Sequence, residues 1–375
     1  MSAPRKTVVV TGLDVTTAYG RGEDALWTGL GSGVPAFRAV DRFGTGRGRT
    51  NVAATLPGDP DLETELTAVV TNACDQAGLS ETDRARTPLL LARHADGAVA
   101  RLDVADQEHR PISLTARTVA AATGLFGPAR TYTNACVAGT TAVIEGIMRI
   151  AAGEADRVVV AAGYLVDPDN FALFSAGRAL AADGLLRPFS DKRQGLLLGD
   201  GVGAVVLESA ESAERRSATV RAVLAGWGMA GDAFHVCQPH PRGEGMARAI
   251  ESALRRAEWA PSDLGYVNCH GTGTKHNDAS ESAALHASAL DDVPVSSTKS
   301  MHGHTLEASG LVELAVTILT LRHGRLPLNA NYLGEDPECA LRLVLDRDEK
   351  PTTDRALSLN AAFGGANAVL AVSAP

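Results

Sequence analysis

Aromatic side chains are scarce in this chain: Phe, Trp and Tyr make up 4% of 375 residues, although apolar types together reach 45%. A core of that composition has to be built from Ala, Val and Leu. No apolar run reaches membrane-spanning length, and residues 1–6 lack the apolar stretch of a secretory signal, so the expected compartment is the cytoplasm, with no membrane partner. Cysteine is sparse too. The five, at positions 74, 136, 237, 269 and 339, are odd in number, scattered and never in CxxC spacing, which argues against a disulfide framework or a zinc site and for free thiols in a reducing compartment. Basic runs are missing and the net charge is −9, which disfavours a nucleic-acid partner. Neither GxxxxGK[ST] nor a strand-led GxGxxG occurs, so the phosphate-cradling and dinucleotide readings fail.

What is present alternates between strand and helix. Residues 7–15 form an apolar strand pattern with a counterpart at 218–229, and helical periodicity follows each, at 22–31 and 243–258. After Arg157 at its start, the segment 157–163 is apolar throughout, as in a sheet covered on both faces. Two Gly-led strands, 201–208 and 364–373, close two similar halves, and the whole reads as α/β. Two helices are apolar almost all round and therefore central: 137–151, with Val143, Ile144, Ile147 and Ile150, and 305–322, with Leu311, Val312, Leu314, Val316 and Ile318.

Each central helix follows a chemically loaded segment. The first is Thr133-Asn134-Ala135-Cys136-Val137-Ala138-Gly139-Thr140-Thr141-Ala142. The second is Lys299-Ser300-Met301-His302-Gly303-His304, preceded by His270-Gly271-Thr272-Gly273-Thr274. One thiol, two histidines and a lysine beside small residues make a kit for acyl-thioester chemistry. Cys136 is the candidate nucleophile, against the alternative of an inert buried cysteine. At the start of a helix, backbone N–H groups and the dipole are expected to favour its thiolate.

These segments resemble the β-ketoacyl-acyl carrier protein synthases, the condensing enzymes of fatty-acid and polyketide synthesis. Further matches are Val8-Val9-Val10-Thr11-Gly12-Leu13, Arg187-Pro188-Phe189-Ser190, Gly199-Asp200-Gly201-Val202-Gly203-Ala204, Gly228-Met229-Ala230-Gly231-Asp232-Ala233, and residues 360–367 containing Phe363-Gly364-Gly365-Ala366-Asn367, all in the family's order. The resemblance implies a thiolase-like fold: two duplicated βαβαβαββ halves, residues 1–217 and 218–375, stacked as a five-layered αβαβα unit. It implies an acyltransferase of the 3-oxoacyl synthase type, an elongating ketosynthase that joins an acyl group on Cys136 to a malonyl group by decarboxylative Claisen condensation. His270 and His304 would donate Nε2–H to the enolate oxygen. Lys299 would be a buried lysine paired with Glu313. Backbone N–H groups of Cys136 and of the Phe363-Gly364-Gly365 loop would form the oxyanion hole, with Phe363 gating the acyl pocket. The implied partners are acyl carrier protein and a second subunit, either a copy of this chain or a homologous ketosynthase-like chain. Substrates would arrive as thioesters on the carrier's phosphopantetheine, with no further cofactor and no metal. His302 is read as incidental, and His276, His286 and His323 as ordinary surface or supporting residues.

The chain also departs from the family. Residues 40–128 are shorter than usual and lack the glycine-rich loop of fatty-acid enzymes; Arg93-His94-Ala95-Asp96-Gly97 stands in its place. Asn134 replaces a Thr or Ser-type neighbour, and Ala361-Ala362 a bulkier pair, which points toward a specialised, polyketide-type enzyme. Arg38, Arg42, Arg47 and Arg49 could gather positive charge for an acidic carrier protein, but the favoured reading is a solvated loop. Two alternatives use the same scaffold. A chain-length-factor-like partner subunit would have lost the nucleophile. An acyltransferase forming an ester or amide would need Cys136 but not both histidines. A biosynthetic thiolase is disfavoured, because no second cysteine follows in a C-terminal Cys-x-Gly setting.

Overall fold

The structure, a computed structural model, describes residues 6–46, 48–94 and 114–375. Its ten principal strands are β1 (Val8–Thr17), β2 (Leu89–Arg93), β3 (Arg130–Tyr132), β4 (Arg157–Tyr164), β5 (Gly201–Ser209), β6 (Ala222–Gly231), β7 (Tyr266–Asn268), β8 (Val295–Ser296), β9 (Arg355–Ala362) and β10 (Ala366–Ser373). The principal helices are α1 (Glu23–Ser32), α2 (Leu62–Gln76), α3 (Leu114–Thr123), α4 (Ala138–Ala151), α5 (Pro168–Ala176), α6 (Glu244–Ala257), α7 (Lys275–Ala287) and α8 (Ser309–His323).

The first five strands lie in the order β3-β2-β4-β5-β1 and the last five in the order β8-β7-β9-β10-β6. Within each set the pairings repeat: parallel, parallel, antiparallel, antiparallel. The duplication read from the two strand-helix patterns is thus a duplication of topology. The two sheets are not separate, however. Val8–Val10 of β1 pairs antiparallel with Leu224–Ala222 of β6 and makes one continuous sheet. Both first strands are edge strands of their sets, and joining them satisfies backbone groups that would otherwise be left open.

Every residue of β1 and β5 is buried, polar ones such as Asp14 and Glu208 included, as in strands covered on both faces. Helices α4 and α8 pack on each other and on strands of both sets. Along α8, every residue from Ser309 to Thr320 is buried. The outer layers look different. In α6 the buried positions are Met246, Ala249, Ile250, Ala253 and Leu254, a one-sided stripe at helical spacing, and this helix covers β6 and β10 while α2 covers β1, β4 and β5. The resulting layers are helix, sheet, helix, sheet, helix, the thiolase-like arrangement. Among the described residues no helix is long and apolar enough to cross a membrane.

The two central helices touch at glycine. A Cβ on Gly310 would lie 2.4 Å from the Thr140 backbone nitrogen, closer than any side chain tolerates. Because Gly310 sits at the start of α8 and Thr140 at the start of α4, this contact brings the segments in front of both helices together. The glycine pair of the 364–373 segment proves to be a turn, with φ of 86° and 74° at Gly364 and Gly365, and the strand itself begins at Ala366.

Candidate active site

Cys136 lies in a 3₁₀ turn, Ala135–Val137, one residue ahead of α4. Ala135 is forced to φ 53°, a left-handed conformation that costs a non-glycine residue about 1–3 kcal/mol and concentrates at functional sites. The thiol is 7% exposed. Burial pushes it up to about 12, the Glu307 carboxylate adds to that rise, and Lys299 opposes it. The expected thiolate is therefore not the resting form: desolvation outweighs the helix terminus, whose own first turn begins only after Cys136.

His270 and His304 are brought beside the thiol. Both line the same cavity of about 740 Å³ as Cys136. Their ring centroids are 5.3 Å apart with the planes at 85°. Burial, and after it the Lys299 ammonium, holds both far below the ordinary imidazole range, so both are neutral. His304 Nδ1 lies 3.0 Å from Ser309 Oγ; a hydroxyl donating to Nδ1 leaves the proton on Nε2 as a donor. The loop of His270 is held by two acids on α7. Glu281 accepts from the backbone nitrogens of His270 (2.6 Å) and Gly271 (2.7 Å). Asp278 accepts from Phe189, Thr272 and Gly273 at 2.8, 3.1 and 3.2 Å. Gly271 has φ 28°, and a Cβ there would meet the Phe189 ring at 2.8 Å, so the turn that delivers His270 requires glycine.

Behind the cavity, Lys299 is fully buried and pairs with Glu313, which is bonded in turn to Asn360 Nδ2; Asn360 Oδ1 accepts from Thr140 Oγ1. Burial raises the Glu313 carboxyl, and Lys299 and Asn360 pull it back down. This chain of bonds ties α8, β9 and α4 together one helical turn beyond Cys136. Neither Lys299 nor Glu313 lines the cavity, so they support the reacting groups from outside it.

Phe363 is 54% exposed at the cavity mouth and stacks on Phe174, with centroids 6.1 Å apart. Ala361 and Ala362 line the cavity beside it. The N–H of Gly364 is already given to the Val236 carbonyl at 2.9 Å, so Gly364 is not free to donate to an oxyanion and the loop's available donor is Phe363. The arginine cluster splits up. Arg42 is buried against Asp200, Arg38 donates to the Ala18 carbonyl at 3.2 Å, Arg49 reaches the cavity, and Arg47 lies outside the described residues, as do 95–97. The solvated-loop reading is wrong for Arg42, because the cluster's spacing could not reveal an acid 158 residues away. A basic rim forms instead from Arg49, Arg178, Lys192 and Lys275.

His302, read as incidental, is fully buried, with Nε2 3.0 Å from Thr298 Oγ1 and Nδ1–H donating to the Gly303 carbonyl at 3.0 Å. His276 lines the cavity, His286 pairs at the surface with Asp291, and His323 stacks on Trp27 at 4.6 Å. Sequence reasoning missed the roles of Glu281 and Asn360. Two acids three residues apart on a helix just after the His270 loop were the available signal for Glu281, since that spacing places both on one face.

Residues 66–213 match the family model described as the N-terminal domain of β-ketoacyl synthase, and 221–333 the model of its C-terminal domain. The chain is 33% identical to the tetracenomycin polyketide synthase ketoacyl synthase alpha subunit of Streptomyces glaucescens, over 99% of this chain and 97% of that one. It superimposes on a structure described as the ishigamide ketosynthase/chain length factor with a TM-score of 0.89, at 30% identity, covering 99% of this chain and 100% of that one. A type II polyketide synthase acyl carrier protein in complex with its hexaketide-bound ketosynthase gives 0.90 at 26% identity, with the same coverages.

Proposed function

The chain belongs to the β-ketoacyl synthase family, and we propose that it is an active ketosynthase of the polyketide type rather than a catalytically silent partner subunit. The observation that carries this reading is that Cys136, His270 and His304 converge on one cavity with both imidazoles neutral. A subunit without chemistry has no use for a strained cysteine turn facing two uncharged donors.

The reaction divides at Cys136. In the first half, Sγ attacks an acyl thioester while the backbone N–H groups of Cys136 and Phe363 hold the oxyanion; the C–S bond to phosphopantetheine breaks and the carrier's thiol leaves with the proton from Cys136. In the second half, a malonyl thioester places its carbonyl oxygen against the Nε2–H groups of His270 and His304. The bond to the carboxylate breaks, CO₂ leaves, and the pair's electrons form an enolate stabilised where its charge develops. The enolate carbon attacks the Cys136 thioester, a carbon–carbon bond forms, the C–S bond to Cys136 breaks, and the released thiolate takes a proton from solvent to restore the resting thiol. Neutral imidazoles suit this role, because each donates a hydrogen bond to the enolate oxygen without being an imidazolium acid that would protonate and quench the enolate. The chemistry needs no metal and no cofactor beyond the phosphopantetheine that carries the substrates.

An acyl carrier protein is the proposed donor, and the rim of Arg49, Arg178, Lys192 and Lys275 suits an acidic partner or its phosphate despite the net charge of −9. A second ketosynthase-like subunit, identical or homologous, is the other proposed partner. Among the described residues strand β3 is the last of its sheet, and Leu114, Phe126 and Met148 are exposed at 45, 71 and 48%. All five cysteines are free, which supports a cytoplasmic location. The alternative of acyl transfer to oxygen or nitrogen would leave His270 and His304 without a joint task. The deciding experiment supplies acyl-carrier and malonyl-carrier protein and looks for a β-ketoacyl product with CO₂ release; acyl-enzyme formation without condensation would favour the acyltransferase reading, and neither reaction would favour the silent subunit.

A further inference from the structure

Glu307 is a buried carboxylate that the proposed chemistry leaves unused. It lies in the 3₁₀ turn Leu306–Ala308 with its side chain 4% exposed. Oε1 is bonded to His94 Nδ1 at 2.9 Å, and Oε2 is buried with no hydrogen-bond partner among the described residues. Its turn packs directly on the Ala135–Val137 turn that carries Cys136, and a Cβ on Gly139 would lie 2.9 Å from the Glu307 carbonyl oxygen. A buried acid with an unsatisfied oxygen is unfavourable, and here the turn that carries it packs on the turn of the reactive thiol.

Among the described residues, the surrounding groups do not cancel it. From β4, Tyr164 presents a buried hydroxyl that makes no hydrogen bond. From the end of β2, Arg93 turns away to Thr115 and to the His94 carbonyl, which leaves His94, itself near Asp167, as the facing partner. From α8, Glu313 is taken up by Lys299 and Asn360. Beyond β5, Asp200 is neutralised by Arg42. The His94 bond to Glu307 raises its imidazole above the ordinary range, so His94 offsets the acid at low pH and releases it as pH rises.

We propose that the Glu307 carboxylate, steadied by His94, governs the reactivity of Cys136 by opposing formation of its thiolate. Glu307 is a positioning residue in this role, acting through Cys136 and not on substrate, and the inference rests on Cys136 being the acyl-carrying thiol. Its consequence is a nucleophile that soluble electrophiles meet as a thiol, while a thioester held in the oxyanion hole can still be attacked.

The test is the rate of Cys136 alkylation by iodoacetamide, followed by peptide mass spectrometry on the full chain between pH 7 and 9.5. Wild type is compared with Glu307→Gln, Glu307→Ala and Glu307→Asp. Loss of the charge is expected to raise the thiolate fraction of Cys136 about tenfold at a given pH. Because a more acidic thiolate is a weaker nucleophile, the rate at pH 8 should rise about three- to fourfold. Glu307→Ala should move the same way, and Glu307→Asp, smaller but still charged, should stay near wild type. Gln and Ala variants no faster than wild type overturn the proposal, as does an ordering by side-chain size in place of charge. Should Glu307→Gln not fold, the Ala and Asp pair decides alone. Alkylation needs neither carrier protein nor malonyl thioester, so a chain that shows the charge effect but never condenses would sink the ketosynthase reading and leave this one standing.

Discussion

His270 and His304 meet edge to face, centroids 5.3 Å apart and planes at 85°, with burial first and Lys299 second depressing both. The buried ammonium does two jobs at once. It pairs with Glu313, and its field discourages either imidazole from taking a proton, so neither becomes an imidazolium acid that would quench the enolate.

Cys136 and the histidine pair should separate by half-reaction. Cys136→Ala is expected to abolish covalent acyl-enzyme, read by intact mass, while malonyl decarboxylation persists. His270→Ala or His304→Ala should leave acylation in place and lower decarboxylation by about a hundredfold or more, the usual loss for an oxyanion-type donor. An acylated Cys136→Ala protein would remove the nucleophile assignment.

Lys299 and Glu313 should behave as a unit. Lys299→Met strands a buried carboxylate and is expected to cost about 3–5 kcal/mol in denaturant unfolding. Adding Glu313→Leu should restore much of that stability, because an apolar pair of similar volume replaces a buried ion pair at little net cost. Condensation should stay low in the double variant. Recovery of activity together with stability would mean the pair does no more than hold the fold.

Phe363→Ala should change which acyl chains load Cys136 without unfolding the protein. The side chain is 54% exposed and its ring contact is Phe174, so the stability loss should be about 1 kcal/mol. Competition among acyl-carrier proteins of different chain length reads the outcome, and an unchanged profile removes the gate.

His302 supplies a pH prediction. Burial holds its imidazole down to about 3, against about 6.5 in an unfolded chain. Between those values the unfolded chain binds the extra proton, so the contribution of His302 is full above pH 6.5 and shrinks as pH falls toward 3. At pH 5 the loss from this residue is about 2 kcal/mol. His302→Gln should therefore lose less stability than wild type between pH 7 and 5 in chemical denaturation. Parallel losses in the two proteins would contradict a neutral, buried His302.

The amino-acid pattern carried most of the architecture, because it is written in local periodicity. A short apolar run such as 158–163 suits a strand covered on both faces, and a helix without a polar side such as 309–323 suits a central position. Cys136, His270, Lys299 and His304 were legible differently, through the resemblance of their segments to the condensing-enzyme family. What periodicity does not encode is which distant groups become neighbours. Arg42 finds Asp200, Glu281 clasps the His270 loop, Asn360 bridges Glu313 to Thr140, and β1 pairs with β6.

The chain by itself determined that a thiol, two imidazoles and a lysine would be carried on small-residue turns ahead of two central helices. Only the tertiary structure decided their protonation. Composition places Cys136 at a helix start and suggests a thiolate; burial to 7% exposure and the nearness of Glu307 make it a thiol instead. Charge state depends on solvent exclusion and on every group within several ångströms, and those groups come from segments far apart in sequence, so it exists only once the chain has folded.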